Sequence, residues 1–171
     1  MVTGASGGVG SAAIQLAVAR GARVVAVASA DKAERLLGLG VDAVIDRGEP
    51  DLATAISDHA GGPVDVVADV VGAGMFGPLV EVLKPGGRYS TAGAIAGSAV
   101  DLDLRQLIYK DLRFTGATVC PPGTFATVVE AIEAGVLRPL LAATFPLGRL
   151  IEAQETFVAK RHVGNVVVTV D

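Results

Sequence analysis

The sequence predicts a doubly wound α/β domain, a parallel sheet of about six strands with helices on both faces. Three observations predict it. Short valine-rich runs such as "RVVAV" and "VDVVADVV" alternate with Ala/Leu-rich helical stretches. Continuously apolar strands of this kind are buried on both faces, as in parallel sheets. The strand–helix–strand interval is that of parallel crossover units. A glycine-rich turn, "TGASGGVG" (3–10), stands where a first strand would pass into a first helix.

Val2 is the stub of that first strand and leads into Gly4-Ala5-Ser6-Gly7-Gly8-Val9-Gly10. Ile14, Leu16, Ala17 and Val18 give a helical pattern over 11–20, which Gly21 stops. A second strand is expected over 23–28, a helix over 31–39 and a third strand over 42–47. A helix over 51–60 ends at Gly61-Gly62-Pro63, ahead of a fourth strand over 64–72. Phe76 to Leu83 reads as helical, and Lys84-Pro85-Gly86-Gly87 as a tight turn. A fifth strand over 87–93, a short helix near 103–110 and a sixth strand over 113–119 follow. A helix spans 123–134. From "RPLLAATFPL" onward the chain is extended and punctuated by proline. A closing unit of about 145–171 then pairs an amphipathic helix over 149–160 with a final strand, "NVVVTV" (165–170). The whole of 1–171 reads as one domain.

Composition narrows the function. The 171 residues carry a formal net charge of −4 and a pI near 5.1, which argues against a broad nucleic-acid surface. Cys120 is the one cysteine and His59 and His162 the two histidines, too few for a closed zinc site, so no metal is expected. No apolar run reaches the ~18 residues of a membrane span. No signal peptide is expected within the few residues ahead of the glycine turn. The expectation is a cytoplasmic protein without membrane or nucleic-acid partners.

Ala5-x-Gly7-x-x-Gly10 matches the dinucleotide fingerprint with Ala in its first slot. Small residues permit the tight turn and bring backbone N–H groups to a pyrophosphate at a helix N-terminus. The second strand ends Val27-Ala28-Ser29-Ala30-Asp31-Lys32, without the carboxylate that holds an NAD ribose in the Ala28 or Ser29 slot. Ser29 and Lys32, with Arg23 or Arg35, could instead hold a 2′-phosphate, so NADP(H) is favoured. A helix N-cap at Ser29 and a solvated first turn at Lys32 are the plainer alternatives.

With these motifs the chain resembles the cofactor-binding half of a medium-chain dehydrogenase/reductase of the zinc-free, quinone oxidoreductase-like branch. The resemblance rests on "VTGASGGVGSAAIQLAVARGARVVAV", "GVDAVID", "VDVVADVVG", "LVEVLKPGGRYSTAG" and "RHVGNVVVTV", in that order over nearly the whole chain. It implies a Rossmann sheet, NADPH, and hydride transfer to quinones, enones or related carbonyl compounds. Residue by residue, it implies that Ala5, Ser6, Gly7, Gly8, Val9 and Gly10 line the pyrophosphate and that Ser29 and Lys32 face the 2′-phosphate. Val71 and Gly72 would pass the ribose and adenine side. Ala92 and Gly93 would lie near the nicotinamide. Arg161 and Asn165 sit in the closing segment, where the family commonly has a basic residue and a Lys; Asn165 replaces that Lys. Family members also have an N-terminal partly open barrel, which is not expected within these 171 residues. The isolated chain is therefore expected to bind cofactor without appreciable turnover, and its catalytic residues are not identified. A stand-alone NADP-binding or interaction module is the alternative. The resemblance further implies a homodimer through the 113–119 edge, which proline at Thr115 or Ala117 would weaken.

Two other enzyme classes fit worse. A short-chain dehydrogenase needs a Tyr with a Lys four residues on, but Tyr89 is followed by Gly93 and Tyr109 by Arg113. A methyltransferase would want an acidic residue where Ala28 and Ser29 stand. Asp69 is expected mainly to cap the turn after its strand. Cys120 is expected to be a buried small residue, Tyr109 an amphipathic surface residue, His59 a helix C-terminal cation and His162 a loop residue.

Overall fold

A computed structural model describes residues 1–170, and in it the apolar runs up to residue 116 become one parallel sheet. Strand β1 (Val25–Ala28) pairs with β2 (Ala43–Asp46). Strand β3 (Val64–Asp69) pairs with β4 (Leu83–Thr91), and β4 with β5 (Arg113–Gly116). Val2 joins the two halves, bridging Ala26 on one side and Ala68 on the other. The order is therefore β2-β1-Val2-β3-β4-β5. The winding reverses at Val2, which makes the loops beside it a topological switch point.

Alternation along β1 sorts the helices into two layers. Val25 and Val27 face α3 (Leu52–Ala60) and α4 (Phe76–Glu81), in a core with Ile56, Leu79 and Val80. Val24, Ala26 and Ala28 face α1 (Gly8–Ala19) and α2 (Ala33–Leu37), in a core with Ile14 and Leu36. Phe76, Tyr89 and Phe114 close the β4–β5 side with ring centroids 5.3 to 6.0 Å apart. Asp51 caps α3, accepting from the Thr54 N–H at 3.0 Å, and Gly61 ends it at φ +73°.

The boundaries move where local geometry overrides periodicity. The helix expected over 31–39 splits into a 3₁₀ turn, Ala30–Lys32, and the short α2. The fifth strand starts earlier than expected, at Leu83, and takes the Lys84–Gly87 turn into a register shift against β3. The sixth strand stops at Gly116 rather than 119. Two further helices, α5 (Leu104–Tyr109) and α6 (Thr124–Glu133), flank β5 in sequence. The closing part is a βαβ unit with a sheet of its own. Strand β6 (Leu141–Pro146) and α7 (Leu150–Ala159) lead to β7 (Asn165–Thr169), which lies parallel to β6.

Candidate nucleotide-binding site

The glycine turn leaves the sheet at the carboxyl end of Val2, between β1 and β3. Gly4 takes φ +55°, and the Gly7 N–H closes the turn on the Gly4 carbonyl at 3.0 Å. A Cβ on Gly10 would stand 2.2 Å from that same carbonyl oxygen, so only glycine lets α1 start against the turn. A Cβ on Gly8 would meet Asn165 Oδ1 at 2.5 Å. Gly7 caps α1 with no side chain in the way. The N–H groups of Gly8, Val9 and Gly10, in the first turn of α1, have no partner inside the helix and point their positive end out of its N-terminus. Ala5 is fully buried and serves as the first small residue, while the left-handed turn itself falls on Gly4. Gly4 belongs to the turn, although the fingerprint, read from Ala5, passes over it.

The closing segment latches onto this turn. The Gly164 N–H donates to the Ser6 carbonyl at 2.8 Å. Lys32 lies at the end of the 3₁₀ turn after β1 and is only 7% exposed. Its Nζ donates to the Lys160 carbonyl at 2.6 Å and to Ser6 Oγ at 3.3 Å. Burial pushes the Lys32 ammonium below its ordinary range. Asp31 opposes that shift, while Arg47 and Lys160 add to it. Arg47, just past β2, donates its N–H to the Ala28 carbonyl at 2.8 Å and was not foreseen from the sequence. Ser29 is the N-cap of the 3₁₀ turn, and its hydroxyl is the largest influence holding Asp31 below the usual carboxylate range.

The opposite flank is built on Asp69. Its carboxylate, 1% exposed, accepts from the Val71 N–H at 2.9 Å, the Gly72 N–H at 3.1 Å and the hydroxyls of Thr3 and Tyr89. Thr3 Oγ1 in turn accepts from the Val70 N–H at 3.2 Å. Asp69 thus ties the first strand, β3 and β4 together at their carboxyl ends, as the expected turn cap and more. Burial, and secondarily Asp69, push the Tyr89 phenol above its ordinary range. Gly72 sits at φ +82°, where a Cβ would lie 2.7 Å from the Gly97 carbonyl oxygen. Beside it, a Cβ on Gly93 would lie 2.7 Å from the Val70 carbonyl oxygen, and the Ala92 N–H donates to the Asp69 carbonyl at 2.9 Å.

One of the expected cations lies elsewhere. Arg23 is at the amino end of β1, where it donates to the carbonyls of His59 and Ala60 and faces Asp42 at 3.9 Å, so it cannot hold a group at the carboxyl end. Arg35 is turned to the Val163 carbonyl at 3.3 Å. Arg161 is exposed. Cys120 is exposed rather than buried, because the chain leaves the sheet at Gly116 before reaching it. Tyr109 is 79% exposed, and His59 Nδ1 lies 2.8 Å from the Ala55 carbonyl at the end of α3. Among the described residues no three His, Cys, Asp or Glu side chains gather as a metal cluster, and no helix is long and apolar enough to cross a membrane.

This fold recurs in known proteins. Residues 8–134 match the family described as zinc-binding dehydrogenase. A protein of Sinorhizobium meliloti 1021, provisionally described as an alcohol dehydrogenase, has a solved structure with TM-score 0.94 and 48% identity, over 99% of this chain and 47% of its own. The acryloyl-coenzyme A reductase of Sulfurisphaera tokodaii is 32% identical over 98% of this chain and 49% of its own length. A 2-octenoyl-CoA carboxylase reductase, solved with NADP and 2-octenoyl-CoA, has TM-score 0.87 and 32% identity, over 97% of this chain and 42% of its own. The chain spans about half the length of the relatives it matches. The glycine turn at a sheet reversal, the order of the strands and these matches together place the chain in the zinc-binding dehydrogenase family of the medium-chain dehydrogenase/reductase superfamily, as its cofactor-binding half.

Proposed function

We propose that the chain holds NADP(H) for an oxidoreductase that delivers hydride to a carbon–carbon double bond conjugated to a carbonyl. The observation that carries this reading is the cationic, carboxylate-poor end of β1 beside the glycine turn. Lys32 is buried there next to Ser6, and its pKa is depressed first by that burial and then by Arg47 and Lys160, against the pull of Asp31. A 2′-phosphate would relieve that repulsion, with the third Lys32 proton and Arg47 as donors. The residues fit a dinucleotide in other respects. Gly7 leaves the α1 N-terminus open for a pyrophosphate, and Asp69 fixes the Val71–Gly72 turn along the crevice. The cofactor supplies the hydride; the chain's own residues bind and orient it.

For the acceptor, an enoyl-coenzyme A thioester is favoured over a simple alcohol, because similarity extends to reductases of acryloyl-CoA and 2-octenoyl-CoA. A quinone is the second reading, carried by the "VTGASGGVG", "LKPGGR" and "RHVGNVV" motifs. Binding titrations test the cofactor assignment. NADPH is expected to bind about ten-fold more tightly than NADH, since one charge-assisted phosphate contact is worth about 1.5–3 kcal/mol. Arg47→Ala should remove most of that difference and leave NADH unchanged. Lys32→Ala should weaken both nucleotides, because Lys32 also braces Ser6. Equal affinities in the wild type, or an indifferent Arg47→Ala variant, would overturn the phosphate assignment.

A further inference from the structure

Tyr89 is 4% exposed and packs against Phe76 and Phe114, each with its ring centroid 5.3 Å away. Phenylalanine would fill that place equally well, yet the residue carries a hydroxyl, which donates to Asp69 Oδ2. Burial raises the phenol's pKa, so the group stays a donor. The four donors on Asp69 are all neutral, and each carboxylate oxygen takes one hydroxyl and one turn N–H. Oδ1 accepts from the Thr3 hydroxyl and the Val71 N–H, and Oδ2 from the Tyr89 hydroxyl and the Gly72 N–H. The hydroxyls come from the strands on either side of β3, the first strand and β4. Held from both sides, the carboxylate plane cannot pivot, and the turn N–H groups find both oxygens in place. With one hydroxyl gone, the plane is pinned at a single oxygen.

The turn that Asp69 holds bears directly on the glycine turn. A Cβ on Gly4 would lie 2.6 Å from Val70 Cγ2 and 3.0 Å from Val71 Cγ2, so the two turns already touch there. The other side of the Val70–Gly72 turn is closed by the loop after β4. The Ala73 N–H donates to the Gly97 carbonyl at 3.1 Å, and the Ala96 N–H to the Val71 carbonyl at 2.9 Å. A displaced turn therefore presses on Gly4, whose carbonyl accepts the Gly7 N–H just ahead of α1. We propose that Tyr89 is a positioning residue for the dinucleotide: through Asp69, its hydroxyl holds the Val70–Gly72 turn against Gly4 and so sets the backbone N–H groups of the glycine turn. The contacts run from Tyr89 through Asp69, Val71 and Gly4 to Gly7, and only the last step, from those N–H groups to a pyrophosphate, rests on the cofactor reading above. Tyr89 itself is too deeply buried to touch a nucleotide. Its effect falls on the part that NADPH and NADH share, unlike that of Arg47.

Amide hydrogen exchange on the free 171-residue chain tests this coupling without a nucleotide. Tyr89→Phe keeps the ring cluster and should speed exchange about ten-fold at Gly72, as expected for one lost hydrogen bond, and to a smaller extent at Gly7. Thr3→Val should act in the same way from the other strand, and Thr3→Ser, which keeps the hydroxyl, should restore most of the protection. Ile56→Val, in the α3 core, lowers the thermal midpoint by a few degrees and should leave both amides as they are. Titrations then read the cofactor step. Tyr89→Phe should weaken NADPH and NADH by the same factor, about five-fold, and leave their ratio unchanged. Unchanged exchange at Gly72 or Gly7 in both Tyr89→Phe and Thr3→Val, the same changes in Ile56→Val, or loosened amides with undiminished nucleotide affinity would each overturn the proposal. A wild type that binds neither nucleotide would overturn the cofactor reading, and with it the ligand named here, while the exchange rates still decide whether Tyr89 sets the glycine turn.

Discussion

Gly10 and Gly7 stand three residues apart in the glycine turn but face different demands. Alanine at Gly10 would drive a methyl group to 2.2 Å from the Gly4 carbonyl oxygen, a backbone atom that cannot swing away. The expected cost is about 3 kcal/mol, or roughly 10 °C in thermal midpoint. Alanine at Gly7 meets only the Gly4 carbonyl at 3.4 Å, in an extended conformation with φ −82° that any residue adopts. Gly7→Ala should therefore melt within a few degrees of the wild type yet weaken NADPH binding by at least about ten-fold, because its methyl enters the cradle. Thermal melts and nucleotide titrations on the two variants separate the roles. Gly7→Ala binding as well as wild type would show that nothing approaches the backbone there. The fingerprint marked both positions. It could not say which glycine serves the fold and which the ligand, because that depends on what lies across the turn.

Among the elements, β5 is the outer strand of the sheet, and the homodimer expected from the family resemblance depends on it. Its direction of pairing changes the choice of substitution. The Ala117 N–H donates inward to the Thr91 carbonyl at 2.9 Å, and Thr115 shares that side by alternation. Proline at either position would damage the β4–β5 ladder rather than the free edge. The outward N–H groups belong to Phe114, Gly116 and Thr118, and a Cβ on Gly116 would meet nothing within 4 Å. Light scattering should give the wild type a mass near twice 17.2 kDa, and Gly116→Pro should shift it toward the monomer with the fold intact. A monomeric wild type, or a dimer unaffected by Gly116→Pro, would exclude pairing through this edge. Sequence reading found the strand but not its facing, since an alternating side needs a fixed neighbour to define it.

At the scale of the whole fold, the 171-residue polypeptide has its amino group at the head of the central strand. Burial pushes the Met1 amino group from 8.0 down to about 6, against the opposing pull of Asp65. Because the folded value is the lower one, the unfolded chain binds more protons between pH 6 and 8, and unfolding takes up a proton in that window. Stability therefore rises with pH across it; the penalty is fully present below 6 and absent above 8. The shift corresponds to about 3 kcal/mol. Lys32, whose value is also lowered, acts with the same sign at higher pH. Urea midpoints measured below pH 6 and above pH 8 should differ accordingly, and acetylation of Met1 should flatten the difference. An acetylated chain with the same pH profile would assign the effect to another group.

The sequence by itself determined the winding of the sheet, the place of the glycine turn and the missing carboxylate after β1. These are local properties: apolar runs, turn residues and a fixed motif spacing act within a few residues of one another. Only the tertiary structure decided where charges and hydrogen-bond donors point. It turned Arg23 to the far end of β1 and drew Lys32 under the Lys160 carbonyl, 128 residues away in sequence. It also brought Arg47 near Lys32 and gathered Thr3 and Tyr89 on Asp69 across three strands. Long polar side chains take their partners from whatever backbone the fold brings within reach, and no periodicity in the chain records that.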